Sequence, residues 1–374
     1  MTTPLHRSPH PLTFVAAAGT GEPSSAHEGA TYRIEVMGLG GFQKEGLAED
    51  VRTGRRWRLV CDEGKYLRGD NMAPAPLAYW IAGLQADITF RITEVARVAG
   101  VAFDDLNVAV GQGFGVKGSF AKGQAVAQVY DLRCDVDFVS DHADATVETL
   151  VKQALTESSA LSALIGPHEG LFALTTNGKE TPVDDLAKSR TPQDDPFLRH
   201  AHQPAPAETR PDAVPVSHPD ADSPPLMLND DHDGIVRWRI RADGGVDTTT
   251  GLFVTRIWFS ENVPTWTLLS DPANHAAPAP LVHFAIGTAF CFHTQLCRYV
   301  SVRRMPVEAP RLAQLSRFTA SGFEPLDTRL FLNGRVSGEE ATSLMTAAAN
   351  TCYAHRALTV PVEHHTSITH GGPR

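Results

Sequence analysis

The feature that most constrains this chain is a long apolar helix written twice behind one lead-in. Residues 73–77 and 277–281 both read APAPL, 204 positions apart. The first copy runs on as LAYWIAGLQADITFRITEVARVAG and the second as LVHFAIGTAFCFHTQLCRYVSV. Proline suits a helix start, where its missing N–H is no loss. Around each copy the pattern repeats. Strand-like alternation comes before it, in TYRIEVMG (32–39) and RRWRLVCD (55–62), then in IVRWRIRAD (235–243) and LFVTRIWFS (252–260). Further strand-like stretches follow, and each half closes on an alanine-rich helical pattern, ATVETLVKQALTESSALSAL and EEATSLMTAAANTCYAHRAL. The order strands, helix, strands, helix, given twice, predicts an α+β fold built by tandem duplication.

Residues 179–233 separate the halves. Proline, aspartate and small residues dominate there, which predicts an extended linker. The expected organisation is a flexible leader over 1–30, a first domain over 31–178, the linker over 179–233, and a second domain over 234–374. The tail HHTSITHGG (364–372) is expected to be disordered.

With 374 residues, 42% hydrophobic, the chain can bury a real core. Its net charge of −10 speaks against a phosphate-backbone partner, so no nucleic acid is expected. No apolar run is long enough to span a bilayer. The N-terminus, with its prolines and one arginine before LTFVAAAG, makes a poor signal peptide. No membrane partner and a cytoplasmic location are expected. Five cysteines, an odd number in a long chain, argue against a secreted disulfide framework.

The two helix copies differ in chemistry. The second carries Cys291 and Cys297; at the matching positions the first has Asp87 and Thr93. Six residues along a helix turn about 600° and rise about 9 Å. Cysteines that can bridge have Cα atoms within about 7 Å, so Cys291 and Cys297 do not pair within an intact helix. Cys352, in the closing helix of the same half, is the better partner for Cys291. Cys297, Cys61 and Cys134 read as packing residues. A zinc site from Cys291, His293 and Cys297 fails because these positions fan around the helix. GQGFGVKG (111–118) lacks the GK[ST] ending of a phosphate loop and reads as a flexible strand connection. NDDHDG (229–234) begins like a calcium loop, but Ile240 stands where the bidentate acid is due.

Pro280, ten residues, then Cys291 in an apolar helix, followed by Cys352 in CYAHRAL, resembles the OsmC/Ohr family of osmotically inducible and organic hydroperoxide resistance proteins. Residues 235–360 carry the resemblance, and about 32–170 a degenerate copy. It implies two halves, each a curved, antiparallel-rich sheet around a long apolar helix, packed as an intrachain pseudo-dimer. It implies a peroxidase in which Cys291 attacks the O–O bond and Cys352 resolves the sulfenic acid. A hydrophobic small-molecule substrate, an external thiol reductant, no bound cofactor or metal, and further homo-oligomerisation go with that reading. Phe284, Phe290 and Phe292 are expected near the site.

Two family features are absent. No carboxylate follows Pro280, since Leu281, Val282 and His283 stand there. No arginine aligns with the one that holds the thiolate, though Arg239, Arg241 and Arg256 are candidates. His283, His293 or His355 is therefore expected to tune Cys291. A cysteine–histidine pair would also suit a hydrolase or transferase acting on a non-peroxide electrophile. A non-catalytic binding protein with a cleft between the halves is the remaining alternative. Ser158 falls about where the first half would carry a resolving cysteine.

Overall fold

The computed structural model describes residues 4–19, 29–183, 186–201, 206–207, 214–217, 226–228, 235–259, 264–319 and 322–370. The calcium-loop-like segment 229–234 lies outside them.

In the first half, strands β1 (Thr13–Ala17), β2 (Ala30–Gly40), β3 (Gln43–Asp50) and β4 (Arg56–Cys61) lead into helix α1 (Pro76–Ala99). Strands β5 (Asp105–Lys117) and β6 (Val126–Val139), helices α2 (Asp144–Glu157) and α3 (Ser159–Ile165), and strand β7 (Leu171–Thr176) follow. Strand β8 (Lys179–Thr181), helix α4 (Phe197–Ala201) and strands β9 (Val216–Ser217) and β10 (Leu226–Leu228) lie between the halves. The second half has β11 (Val236–Val246), β12 (Phe253–Trp258), β13 (Trp266–Ser270) and helix α5 (Pro280–Val302). It closes with β14 (Val307–Thr319), β15 (Gly322–Phe323), β16 (Asp327–Gly334), α6 (Gly338–Thr351), α7 (Tyr353–Thr359) and β17 (His364–His370). The chain is α+β, with seven helices among the described residues.

Helices α1 and α5 form the centre. Every residue from Pro76 to Phe90 and from Pro280 to Leu296 is buried. A helix buried on all sides cannot be served by one sheet face. Here each helix packs on the other as well as on strands. They cross at two glycines: a Cβ on Gly83 would meet the Phe284 backbone nitrogen at 2.3 Å, and one on Gly287 the Trp80 nitrogen at 2.4 Å. Trp80 and Phe284 stack beside this crossing, ring centroids 5.5 Å apart.

The sheets correct one expectation. Neither half builds a sheet of its own. One sheet runs β1-β4-β3-β2-β14-β16-β7-β8, and the other β17-β6-β5-β11-β12-β13-β9. Each joins a three-stranded meander from one half to a hairpin from the other, through β2–β14 (Val36 opposite Leu312) and β5–β11 (Val110 opposite Ala242). Both sheets are mixed, because β7 pairs with β16, and β17 with β6, in parallel. Sharing strands sets the first sheet against α5, through β2, β3 and β14, and the second against α1, through β5, β11, β12 and β13.

Other expectations change too. Within the predicted leader, β1 pairs with β4, and Leu5 packs on Leu39, Val60 and Ala73. Within the predicted linker, α4 docks on the meander: Arg199 pairs with Glu35, and His200 Nδ1 lies 2.9 Å from Glu45 Oε1. Asp195 pairs with Arg311 at 2.7 Å. Charge pairs hold this apolar-poor linker segment where periodicity gave no sign of order. Residues 364–370 form β17 and are not disordered, because β6 offers a free edge. Residues 111–117 lie inside β5, between β11 and β6, so they are not a flexible connection.

Candidate functional site

Cys291 sits on α5 and is 2% exposed. The closing helix of the second half is not continuous. It breaks at Cys352, whose backbone is extended (φ −74°, ψ 112°), and restarts as α7. Cys352 caps that restart, its Sγ accepting the His355 N–H at 3.4 Å. The break turns Cys352 onto α5, where its thiol neighbours that of Cys291. Burial and the adjacent Cys291 sulfur hold the Cys352 thiol well above the ordinary cysteine value. All five cysteines are free.

The first half repeats this arrangement with oxygen chemistry. Its closing helix breaks at Ser158 (φ −65°, ψ 121°), which caps α3 by accepting the Leu161 N–H at 3.2 Å. Ser158 Oγ donates to Asp87 Oδ2 at 2.6 Å, and the Ala160 N–H donates to the same oxygen at 3.0 Å. Burial holds the Asp87 carboxyl above its usual value, and the Ser158 hydrogen bond opposes that shift.

Cys291 opens onto a cavity of about 120 Å³. Tyr66, Leu67 and Leu77 from the first half line it together with Trp238 and Tyr353. Its polar lining is Glu63, Thr294, Gln295 and Arg298. Glu63 is 3% exposed. Its carboxylate accepts the Thr294 hydroxyl at 2.7 Å. Behind it, the fully buried Lys44 donates to Thr294 Oγ1 at 3.0 Å and lies 3.7 Å from Cys61 Sγ. Burial raises the Glu63 pKa, opposed by the Lys44 charge, the Thr294 hydrogen bond and Arg298. Burial pulls Lys44 down, and the Cys61, Glu63, Cys297 and Asp62 side chains more than offset it. Because burial pushes the Cys61 thiol well up, that thiol is neutral, and Glu63 is the effective counter-charge of Lys44.

The ring contacts of the three histidines lead elsewhere. His283 Nδ1 pairs with Ser270 Oγ at 3.1 Å, and burial pushes its pKa down to about 3. His293 Nε2 donates to the Pro310 carbonyl at 2.7 Å, and its Nδ1 lies 3.6 Å from Cys297 Sγ; burial, then Lys44, take it to about 3. His355 packs edge-on against Phe172 and Phe292, and burial takes it to about 4. Phe284, Phe290 and Phe292 fill the core against Trp80, Tyr79 and Phe172. The candidate arginines are also engaged away from Cys291: Arg239 with Asp131, Arg241 over Trp258, and Arg256 with Asp243.

Glu63, Lys44 and Arg298 went unread in the sequence. Glu63 lies in a polar turn, DEGK, and Lys44 in the polar strand QKEGLAED, where nothing local marks a buried charge. Arg298 had a signal, since it follows Cys291 by two helical turns on the same face. Among the described residues no group of histidine, cysteine and acidic side chains could hold a metal, and no helix is long and apolar enough to cross a membrane.

No family model and no curated protein matches this chain. Among solved structures, it is similar to an OsmC-like hydroperoxide resistance protein from Jannaschia sp. CCS1. That alignment is 19% identical, covers 41% of this chain and 97% of the other, and has a TM-score of 0.26. It is also similar to a protein from Psychrobacter arcticus 273-4 described as an osmotic stress induced and detoxification response protein. There the identity is 14%, over 32% of this chain and 79% of the other, with a TM-score of 0.25.

Proposed function

We propose that this chain is a thiol peroxidase for organic hydroperoxides, with Cys291 attacking and Cys352 resolving. The observation that carries the reading is the neighbouring of these two free thiols, with Cys291 lining an aromatic-walled cavity. The Cys291 thiolate attacks the outer oxygen of ROOH; the O–O bond breaks, and the sulfur, oxidised by two electrons, becomes a sulfenic acid. The alkoxide leaves as ROH on taking the proton that the Cys291 thiol gave up, and the Glu63 carboxylate faces the cavity through which that proton passes. The Cys352 thiol, kept protonated beside Cys291, then condenses with the sulfenic acid, losing water and forming a disulfide. An external dithiol returns both sulfurs to the reduced state. No resident cofactor enters these steps.

The carboxylate missing after Pro280 is supplied in this reading by Glu63, and the cation by Lys44 and Arg298. Glu63, Lys44 and Tyr66 all come from the first half. That supports reading the first half as a duplicated copy that serves as partner to the second, an intrachain pseudo-dimer with Asp87 and Ser158 in place of the thiols.

The test is mass spectrometry after one equivalent of cumene hydroperoxide, with free thiols alkylated before digestion. A Cys291–Cys352 linked peptide pair, lost on adding a dithiol, is expected. Both cysteines fully alkylated would overturn the peroxidase reading and direct attention to esters and thioesters.

A further inference from the structure

We infer that the segment 62–72 is a fixed roof that restricts the Cys291 site to compact aryl or branched-alkyl hydroperoxides and shuts out long-chain ones. This deepens the peroxidase reading and rests on it for the reactive group. The molecule supplies its own comparison. Residues 62–75 join β4 to α1, and residues 271–279 join β13 to α5, so the first connection is five residues longer (14 against 9). The longer one lies over α5 at Thr294 and Arg298, leaving a cavity of about 120 Å³. The matching face of α1, at Phe90 and Glu94, has only the shorter connection and opens into a groove of about 930 Å³.

The roof is held in shape from within. The Asp62 carboxylate accepts the N–H groups of Glu63 at 2.8 Å, Asp70 at 3.1 Å and Met72 at 3.2 Å. The chain doubles back so closely that a Cβ on Gly69 would sit 1.9 Å from the Glu63 carbonyl oxygen. Tyr66 leans on Phe259, centroids 6.4 Å apart. An apolar cavity of about 150 Å³ holds one benzene. The space beside Cys291, about 120 Å³, is of that order but smaller, so it takes at most one compact group such as a phenyl or tert-butyl, which Tyr66, Trp238 and Tyr353 face with aromatic surface, and has no room for an extended acyl chain.

The experiment has two arms on the full chain. The first compares kcat/KM for cumene hydroperoxide and for an 18-carbon fatty-acid hydroperoxide, in the unmodified protein, Leu67→Ala and Tyr66→Ala. The expected result is a preference for cumene of at least about tenfold, narrowed about tenfold by Leu67→Ala, the scale on which a pocket rejects extra methylenes. Tyr66 is 43% exposed and Leu67 half-buried, so neither truncation threatens folding. The second arm measures alkylation of Cys291 by N-benzyl and N-dodecyl iodoacetamide, read on the Cys291 peptide. Faster benzyl labelling that evens out in Leu67→Ala is expected. Turnover that favours the long-chain peroxide would overturn the size restriction and leave the peroxidase reading standing. No turnover of either peroxide, with benzyl labelling still preferred, would overturn the peroxidase reading and leave the restriction standing. Equal labelling by both probes in the unmodified protein would overturn the restriction.

Discussion

Replacing Gly287 by alanine tests the central packing directly. A Cβ at this position would lie 2.4 Å from the Trp80 nitrogen, 2.7 Å from its Cα and 2.9 Å from the Pro76 carbonyl oxygen. Ordinary contact needs about 3.4 Å or more, so α1 and α5 must part by roughly 1 Å. The obstructing atoms are backbone, so no rotamer change relieves the overlap. Alanine gains about 1 kcal/mol over glycine in a helix interior. Against that stands an overpacking cost at the top of the usual range, about 3 kcal/mol. The net expected loss is about 2 kcal/mol, read as a fall in the urea midpoint at 25 °C with an unchanged slope. Gly83→Ala, facing Phe284 N at 2.3 Å and the Pro280 carbonyl oxygen at 2.6 Å, should cost about as much. The double variant should cost less than the sum, because the first methyl already parts the helices. Separation should also slow formation of the Cys291–Cys352 disulfide, since Cys291 lies one turn beyond Gly287. An unchanged or raised midpoint for both single variants would show the propensity gain acting alone, and would refute the claim that the helix backbones touch at these glycines.

Cys352→Ser should leave the first turnover with cumene hydroperoxide intact and then accumulate a Cys291 sulfinic acid, seen as a gain of two oxygens by intact mass; a variant that cycles normally would remove Cys352 from the reaction. Lys44→Met leaves the Glu63 charge buried without its partner and should cost about 3–5 kcal/mol, with part of the loss recovered in the Lys44→Met/Glu63→Gln double variant; urea unfolding of the four proteins measures it, and no recovery would refute the pairing. Asp87→Ala strands the Ser158 hydroxyl and the Ala160 N–H and should cost about 2 kcal/mol, with Asp87→Asn milder; equal losses for both would show that cavity, not hydrogen bonding, dominates. Acid should destabilise the protein through His283, His293 and His355, whose pKa values fall from 6.5 to about 3, 3 and 4. The unfolded chain takes up protons that the folded one refuses, so this stability is complete above pH 6.5 and lost as pH falls toward about 4 for His355 and about 3 for His283 and His293. Each histidine adds a slope of about 1.4 kcal/mol per pH unit; unfolding free energies that stay flat from pH 7 to 5 would refute it.

The sequence by itself determined the two central helices, the α+β class and the second half's distinction in thiols. Apolar runs after proline fix helices locally, and periodicity reads them directly. It also held a signal that went unread: in TESSALSAL, Ser158 is an ordinary helix cap whose hydroxyl meets the N–H three residues on, and it marks the break between α2 and α3. The equivalent break at Cys352 has no such signal, because cysteine is not among the usual caps. Only the tertiary structure decided which half's hairpin completes which sheet, that His283 and His293 spend ring nitrogens on Ser270, Pro310 and Cys297, and that Glu63 lines the Cys291 cavity with Lys44 bonded to the same Thr294 hydroxyl. Glu63 and Thr294 are 231 residues apart in the chain, and Lys44 and Thr294 are 250 apart. Local pattern carries the period of an element and its ends. Contacts of that separation depend on how whole elements pack, and a buried charge is stable only once its partner arrives from the other half.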